Sequence, residues 1–391
     1  MDREFEAIIG EWGYTEMLSA ESRLKDFPSL ADRVYLNSAA EGIPPAEVLQ
    51  ALTQYGLDKI VGMDGRLLHQ EQWIQAKEKV GKFLGFSSDD IGICSCSSEA
   101  YNLVFTALKL KAGDEVVVND LDFPSGTTPW LTTDLGVVIK VWRSKNGALD
   151  TNDLKPLVNS KTRLVNISLV SFYNGFYLDL DEVSKIVRAQ SNAIFSVDVT
   201  QALARHPLTL KNVDLVVSST HKWMLGPHGG GLVAVNPQRS EELTASAGGW
   251  FNLDNAFDEN RFSELKVKPG AASYMVGMPN YAAIYAINAA LGYIDSIGVA
   301  AIEKQANALV ERCRAGILEL PVELMGPAKP ERTSGIISFT HPKYEEINNA
   351  LHAENIHVMS HAGRMRVSIH GYNNESDIDR FLEVLKQALL V

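Results

Sequence analysis

The chain has 391 residues, and its 36 lysines and arginines against 48 aspartates and glutamates give a formal net charge of −12. Because an acidic surface repels phosphate backbones and anionic lipids, this balance argues against nucleic-acid and membrane partners. The hydrophobic share of 46% and the charged share of 21% are typical of folded domains and argue against a largely disordered chain.

The cysteines and the first residues bear on the compartment. Three cysteines are too few for a disulfide framework. The first residues are acidic and show no basic stretch followed by an apolar one, and no run of about 18 apolar residues occurs. We therefore expect a soluble cytoplasmic protein.

Short runs rich in β-branched residues alternate with helical stretches through the middle of the chain. The predicted strands span residues 115–119, 137–142, 163–170, 193–198, 213–219 and 231–236. Their nearly continuous apolar character is typical of strands that are buried on both faces. The alternation predicts an α/β fold with a mainly parallel sheet.

The helical pattern changes along the chain and suggests two domains. Before the first of these strands, apolar residues recur at helical spacing from Trp73 to Phe83, and Gly85 follows as a C-terminal stop. After about residue 270, two helices, two short strands and a last helix predict a smaller α+β domain. We expect a large domain over residues 31–270 and a small domain over 271–391, joined by the N-terminal segment 1–30.

Residues 196–235 hold the most informative polar groups. Asp198 ends one predicted strand, with Gln201 just beyond it, and His221 and Lys222 follow the next strand. The carboxyl ends of adjacent strands in an open α/β sheet are where ligands bind, so Asp198 and Lys222 are expected to converge on one small molecule. A lysine amine and a carboxylate suit pyridoxal 5′-phosphate (PLP), which needs a Schiff base and a protonated ring nitrogen. The pair therefore predicts a PLP site.

Six sequence blocks, in order, resemble the class V aminotransferase family of PLP enzymes. They are YLNSAA at 35–40, SSEAYNLV at 97–104, DFPS at 122–125, DVTQ at 198–201, STHKW at 219–223 and RVSIHGYN at 366–373. This group contains cysteine desulfurases and isopenicillin-N-epimerase-like proteins. The resemblance implies a type I PLP-dependent transferase fold, whose large domain has a mainly parallel, seven-stranded sheet.

The resemblance implies which residues hold the cofactor. Ser97 and Ser98 open a helix whose N-terminus favours an anion, and with Ser219 and His221 they would bind the phosphate. Capping of that helix by serine is the alternative interpretation. Phe123 would stack on the ring, where desulfurases carry a histidine.

Two further contacts are implied on the substrate side of the ring. Phe172 stands where desulfurases place an asparagine near the ring hydroxyl, so Gln201 is the main candidate for that contact and Asn174 is a second, in the substrate pocket. Arg366 matches the arginine that binds the substrate α-carboxylate, for which a guanidinium fork is suited, and Arg364 is a nearby alternative.

The resemblance bears on assembly, and the spacing of two histidines bears on metals. Family members are homodimers with active sites near the interface, in which a turn of one subunit reaches the phosphate of the other. Here that turn, residues 277–280, has Met278 where the family has a hydroxyl residue. His221 and His228 lie seven residues apart, which is not a metal-ligand spacing, so no metal is expected.

We expect Lys222, Asp198 and His221 to be the catalytic residues. Lys222 would form the Schiff base and move the Cα proton of an amino acid substrate, while Asp198 would stabilise the carbanion through the ring. Desulfurases take sulfur onto a cysteine in the loop before the substrate arginine, but residues 355–368 contain no cysteine. The three cysteines present are expected to be core residues. An epimerase or a β-eliminating C–S lyase without a persulfide is therefore favoured, with an aminotransferase or a non-catalytic PLP-binding protein as alternatives.

Overall fold

The computed structural model describes residues 19–327 and 329–390. Within them the helices are α1 (Ala20–Asp26), α2 (Ala46–Ile60), α3 (Arg66–Leu84), α4 (Ser97–Leu108), α5 (Pro124–Leu131), α6 (Thr151–Leu154), α7 (Leu180–Gln190), α8 (Tyr281–Ile297), α9 (Val299–Leu318), α10 (Tyr344–Ala353) and α11 (Glu375–Leu390). The strands are β1 (Val34–Tyr35), β2 (Ile91–Cys94), β3 (Glu115–Asn119), β4 (Val138–Trp142), β5 (Thr162–Ser168), β6 (Ile194–Asp198), β7 (Leu215–Ser219), β8 (Gly231–Val235), β9 (Glu323–Leu324), β10 (Ile336–Thr340), β11 (Ile356–His357), β12 (Met359–His361) and β13 (Arg364–Ser368).

Seven of these strands form the central sheet, in the order β2-β8-β7-β6-β5-β3-β4. Strand β8 runs antiparallel to both of its neighbours, β2 and β7, and the other pairs are parallel. The six strands predicted from the sequence are β3 to β8, with ends that differ by no more than two residues. The predicted α/β class with a mainly parallel sheet is confirmed.

Apolar cores cover both faces of the central sheet. Along β3, Val117 packs into one core with helices α3, α7 and α8, whereas Val116 and Val118 pack into the other with α4 and α5. Successive side chains of a strand point to opposite faces, so a strand covered on both sides is apolar throughout. Helix α3 ends at Leu84, and the predicted stop residue Gly85 follows with a left-handed φ of 76°.

The C-terminal part builds a second, antiparallel sheet in the order β12-β13-β10-β9. Helices α9, α10 and α11 cover one face of it, and their apolar side chains form a separate core. Near the N-terminus, β1 pairs in parallel with β11, and Arg23 on α1 forms a 3.1 Å ion pair with Asp377 on α11. Residues 19–36 thus contact the small domain, while residues 1–18 of the predicted joining segment lie outside the described residues.

The predicted domain boundary at residue 270 stays a prediction, and packing suggests a different position. Helix α8 contributes Ile284, Ile287 and Leu291 to the core of the large sheet. The next helix, α9, packs mainly into the core of the small domain. We therefore propose that the large domain extends through α8 to Gly298.

Among the described residues no single helix is long and apolar enough to cross a membrane. The pair α8 and α9, bent by 76°, meets the length and composition criteria only when its two helices are taken together.

Candidate active site

Two adjacent strand ends form the floor of the candidate site. Strands β6 and β7 are parallel and end at Asp198 and Ser219. Thr200 links them, because its backbone N–H donates to Asp198 Oδ1 at 2.8 Å and its Oγ1 accepts from the N–H of Ser219 at 3.0 Å. The structure therefore brings together the strand ends that the sequence placed at one ligand site. It also adds Thr200, which sequence reasoning did not single out.

Asp198 is a buried carboxyl group that accepts hydrogen bonds from Thr200 and Tyr101. Asp198 is only 7% exposed, and the hydroxyl of Tyr101 donates to Asp198 Oδ2 at 3.4 Å. Burial raises the pKa of Asp198, while hydrogen bonds from Thr200 and the charge of Lys222 act in the opposite direction. A cation placed against this carboxylate would favour its ionised form. Tyr101 lies in the SSEAYNLV block, but no feature of the sequence indicated this contact.

Lys222 lies beside Asp198 with its amine in a desolvated position. Burial lowers the pKa of Lys222 to about 8, the charge of Asp198 opposes that shift, and the charge of Arg366 adds to it. Nearby, the N–H of Gly42 donates to the carbonyl of His221 at 2.8 Å, and a Cβ on Gly42 would lie 1.9 Å from the carbonyl oxygen of Lys222. The YLNSAA block therefore leads into a close backbone contact with the lysine segment.

The N-terminus of α4 lies next to the end of β7. Ser219 donates its hydroxyl to Ser97 Oγ at 3.0 Å, and the backbone N–H groups of Ser97 and Ser98 make no hydrogen bond to other described residues. Ser97 is buried and Ser98 is exposed. The N-cap is Cys96, whose Sγ accepts from the N–H of Glu99, so the serine-capping alternative is wrong and both serine hydroxyls are available to an anion.

His221 packs face to face with His228. The ring centroids are 4.5 Å apart with an interplanar angle of 17°, and burial lowers the pKa of His221 to about 4. Its ring is therefore neutral at pH 7 and can bind a phosphate by a hydrogen bond rather than as a cation. His228 Nε2 donates to Glu41 Oε1 at 3.1 Å, and ligating atoms of Glu41, His221 and His228 lie within 4.8 Å of one another. Chain spacing alone did not reveal this cluster; the expected lack of a metal stays a prediction.

Phe123, Phe172 and Tyr173 contact one another in turn and form an aromatic wall. This wall and Gln201 lie around Lys222. The Phe123 ring centroid is 5.0 Å from Lys222 Nζ, and Phe123 meets Phe172 edge to face at 5.0 Å between centroids. Gln201 is held at both ends, since its Oε1 accepts from Trp223 at 2.6 Å and its Nε2 donates to a backbone carbonyl at 3.1 Å. One amide hydrogen of Gln201 remains for a ligand, and a stacking role for Phe123 stays a prediction.

Arg366 and Asn174 differ in how far their polar groups are used. Arg366 is 4% exposed and donates through Nη1 to the carbonyl of Phe172 at 2.8 Å, while its Nε has no partner among the described residues. Asn174 donates from Nδ2 to the carbonyls of Gly147 and Met325, and its Oδ1 accepts from a backbone N–H. Because these contacts occupy the Asn174 amide in holding loops together, we do not include it in the proposed substrate site.

The cysteines are not all core residues, contrary to the expectation from the sequence. Cys313 is buried, Cys94 is partly buried, and Cys96 is exposed at the start of α4. Burial raises the pKa of Cys94 and raises that of Cys313 to about 12, which disfavours their thiolates. Cys96 is therefore the only one of the three with a solvent-exposed side chain.

The donor set fits PLP. A buried carboxylate, a lysine of lowered pKa, two serine hydroxyls and free helix N–H groups meet within one edge of the sheet. These are the groups needed to pair with a ring nitrogen, join an aldehyde and bind a phosphate.

This chain is similar to curated proteins and to solved structures over most of its length. The chain is 27% identical to a probable cysteine desulfurase of Methanothermobacter thermautotrophicus, over 95% of this chain and 98% of that protein. It is 23% identical to the uncharacterized aminotransferase YcbU of Bacillus subtilis, over 90% and 93%. The solved cysteine desulfurase of Thermococcus onnurineus superimposes with a TM-score of 0.86 at 25% identity, covering 95% of this chain and 98% of that one.

The C-DES protein, a cystine C–S lyase, shares the fold. Its complex with cysteine persulfide superimposes with a TM-score of 0.84 at 22% identity, over 92% of this chain and 99% of that one. A second C-DES structure carries glycine linked to PLP. The family model for class-V aminotransferases matches residues 34–381. This chain therefore belongs to the class-V aminotransferase family and is a PLP-dependent enzyme.

Proposed function

We propose that this enzyme removes the Cα proton of an α-amino acid and releases a sulfur group from Cβ, without forming a persulfide on the protein. The supporting observation is the position of Lys222. Its amine is buried, has a pKa of about 8, and is close enough to Asp198 and Arg366 for both charges to affect that pKa. A base of this pKa, between a carboxylate for the ring nitrogen and a cation for the substrate carboxylate, suits proton transfer at Cα.

The residues divide the work as follows. When bound, PLP supplies the electron-withdrawing group that makes a Cα proton acidic. Asp198 holds the proton on the ring nitrogen, and Thr200 and Tyr101 hold Asp198. Arg366 binds the α-carboxylate and thereby orients the Cα–H bond, so that Lys222 can remove the proton from Cα.

The remaining predicted ligands anchor and cover the cofactor. Ser97, Ser98, Ser219 and His221 bind the phosphate at the N-terminus of α4. Phe123, which is 42% exposed and lies over Lys222, covers the ring and restricts water on that side.

The distribution of cysteines argues against a persulfide. The segment before Arg366 has none, Cys313 is buried in the core of the small domain, and burial disfavours the Cys94 thiolate. Cleavage of the C–S bond then proceeds by elimination: L-cysteine and water give pyruvate, ammonia and sulfide, with no net oxidation or reduction.

Desulfuration through Cys96 is the second candidate. It is supported by the relatives named probable cysteine desulfurase and by the exposure of Cys96. The two reactions differ in the carbon product, which is pyruvate for elimination and alanine for desulfuration.

Product analysis tests the proposal. Holoenzyme is incubated with L-cysteine and with L-cystine, and pyruvate, alanine and sulfide are quantified for the wild type, Cys96→Ser and Cys94→Ser. Serine is a good N-cap, so Cys96→Ser should preserve α4. We expect pyruvate from all three proteins at similar rates. Alanine from the wild type that is lost only in Cys96→Ser would establish desulfuration instead.

The same assay separates the other outcomes of a Cα carbanion. Accumulation of the D-isomer without pyruvate would identify an epimerase, and amino transfer to an added 2-oxo acid would identify an aminotransferase. Absence of solvent deuterium incorporation at Cα of every amino acid tested would identify a non-catalytic PLP-binding protein.

We further propose that the enzyme is a homodimer. Large apolar side chains are exposed along α2, the turn after it and the start of α3, where Leu49, Ile60, Met63 and Leu67 are 59%, 79%, 74% and 75% exposed. Such a patch is typical of a surface that is covered in the assembly. With Met278 in the turn, a partner could bind the phosphate there only through backbone N–H groups. Sedimentation of the wild type and of Ile60→Asp with Leu67→Asp tests the dimer.

A further inference from the structure

Strand β13 presents two arginines on one face. Arg364 and Arg366 alternate along the strand with Met365 and Val367, which pack into the core of the small domain. Residues two apart in a strand share a face and lie about 7 Å apart at Cα. Two guanidinium groups therefore project side by side from the small sheet toward the large domain.

Both arginines are buried and incompletely paired. Arg364 is 6% exposed and Arg366 is 4% exposed. Within the part of the chain that the structure describes, each donates one hydrogen bond, Arg364 Nη1 to the carbonyl of Tyr173 at 3.1 Å and Arg366 Nη1 to that of Phe172 at 2.8 Å. The Nε atom of each is buried without a partner, and neither arginine forms an ion pair with a carboxylate among residues 19–327 and 329–390.

Two like charges held in this way destabilise the ligand-free protein. Burial lowers the pKa of both side chains, and the charge of Arg364 lowers that of Arg366 further, to about 10. A buried charge without a partner is costly, so such a pair is typical of a site that a ligand completes. One substrate α-carboxylate accounts for one of the two arginines and leaves the other unpaired.

Arg364 lies at the far end of the aromatic wall from Lys222. Its guanidinium is 4.2 Å from the ring centroid of Tyr173 and 5.5 Å from that of Phe172. Phe172 contacts Phe123, which in turn lies over Lys222. Arg366 is near enough to Lys222 for its charge to lower the pKa of that lysine. Along the aromatic wall, the reaction centre at Lys222 therefore comes first, the α-carboxylate site at Arg366 comes second, and Arg364, the second cation, comes last.

We propose that Arg364 is a second anion anchor and that the substrates are α-amino acids whose side chain carries a distal carboxylate or another anion. This rests on the proposed function in one respect, the assignment of the α-carboxylate to Arg366. A substrate with one carboxylate leaves a buried guanidinium unpaired, whereas a substrate with two satisfies both, and the difference in affinity provides the selectivity.

Dicarboxylates without an amino group test the anchor apart from catalysis. Isothermal titration of the holoenzyme compares glutarate with valerate and succinate with butyrate, pairs that differ by one carboxylate. We expect each dicarboxylate to bind the wild type at least tenfold more tightly than its monocarboxylate partner. In Arg364→Met that preference should fall below twofold, whereas Arg366→Met should weaken all four ligands.

Two further variants make the outcome interpretable. Arg364→Lys keeps the charge and should retain part of the preference for dicarboxylates. Arg332→Met removes an arginine that stacks on Tyr177, outside the aromatic wall, and should leave that preference unchanged. Equal affinities in the wild type, or a preference that persists in Arg364→Met with an unaltered melting temperature, would overturn the proposal. A tenfold preference in a protein that forms no pyruvate would support the anchor while refuting elimination.

Discussion

Two regions line the candidate site, and they differ in how their polar groups are satisfied. The pocket floor consists of Asp198, Thr200, Ser219 and Lys222 at the ends of β6 and β7, and the arginine wall consists of Arg364 and Arg366 on β13. In the floor, Thr200 joins the two strand ends by hydrogen bonds of 2.8 and 3.0 Å. In the arginine wall, each side chain donates one hydrogen bond to a backbone carbonyl, and its Nε has no partner among the described residues.

The difference shows what each region contributes before a ligand arrives. The floor is organised by the chain itself, so its geometry is set in advance, as a cofactor site requires. The arginine wall holds two desolvated positive charges, which a bound anion would neutralise. We therefore expect substitutions in the floor to alter cofactor attachment and turnover, and substitutions in the wall to alter substrate affinity and selectivity.

Replacing the amine of the floor should have the largest effect. Lys222→Ala removes the amine that we propose both attaches PLP and acts as the base for Cα, so turnover should fall to background. The protein should stay folded and lose the absorbance of lysine-bound cofactor. A borohydride-reducible adduct that persists in this variant would place the attachment on another residue.

Asp198→Asn should keep some cofactor and lose most turnover. An amide cannot hold the proton on the ring nitrogen, so the carbanion loses stabilisation. A loss of about 10³ in kcat corresponds to about 4 kcal/mol of transition-state stabilisation. Steady-state kinetics at matched PLP content measures this effect, and turnover equal to the wild type would show that Asp198 does not contact the ring nitrogen.

In the wall, Arg366→Lys should produce a smaller loss. Lysine keeps the charge but lacks the guanidinium fork, so kcat/KM for α-amino acids should fall by about 10- to 100-fold, since a charge-assisted hydrogen bond contributes about 1.5–3 kcal/mol. PLP content should not change. Full kcat/KM in this variant would indicate that Arg364 holds the α-carboxylate.

The smallest expected effect links the wall to the floor through charge. Only neutral Lys222 attacks an aldehyde, so the rate at which apoprotein captures PLP should rise with pH and level off above about pH 8, the pKa of Lys222. The charge of Arg366 lowers that pKa, so Arg366→Met should shift the midpoint upward. Stopped-flow absorbance across pH 6–10 measures the midpoint; a downward shift would contradict the assigned sign.

Much of the floor could be predicted from the chain, because its signals are local. The near-continuous apolar runs of β5, β6 and β7 indicate strands buried on both faces, and parallel strands bring their carboxyl ends to one edge. The order of Asp198 and Lys222 after two such strands was therefore enough to place both at one site. The class-V resemblance added two predictions that stay predictions, phosphate binding at Ser97 and binding of the substrate carboxylate by Arg366.

What only the tertiary structure decided is how distant segments satisfy one another. Asn174 gives its amide to Gly147 and Met325, and Cys96, rather than a serine, caps α4. The sequence shows that Arg364 and Arg366 lie two residues apart, but not that both are buried on one strand face without a carboxylate partner among the described residues. Hydrogen-bond partners and desolvation depend on contacts between residues far apart in the chain, whereas periodicity and strand order are properties of neighbouring residues.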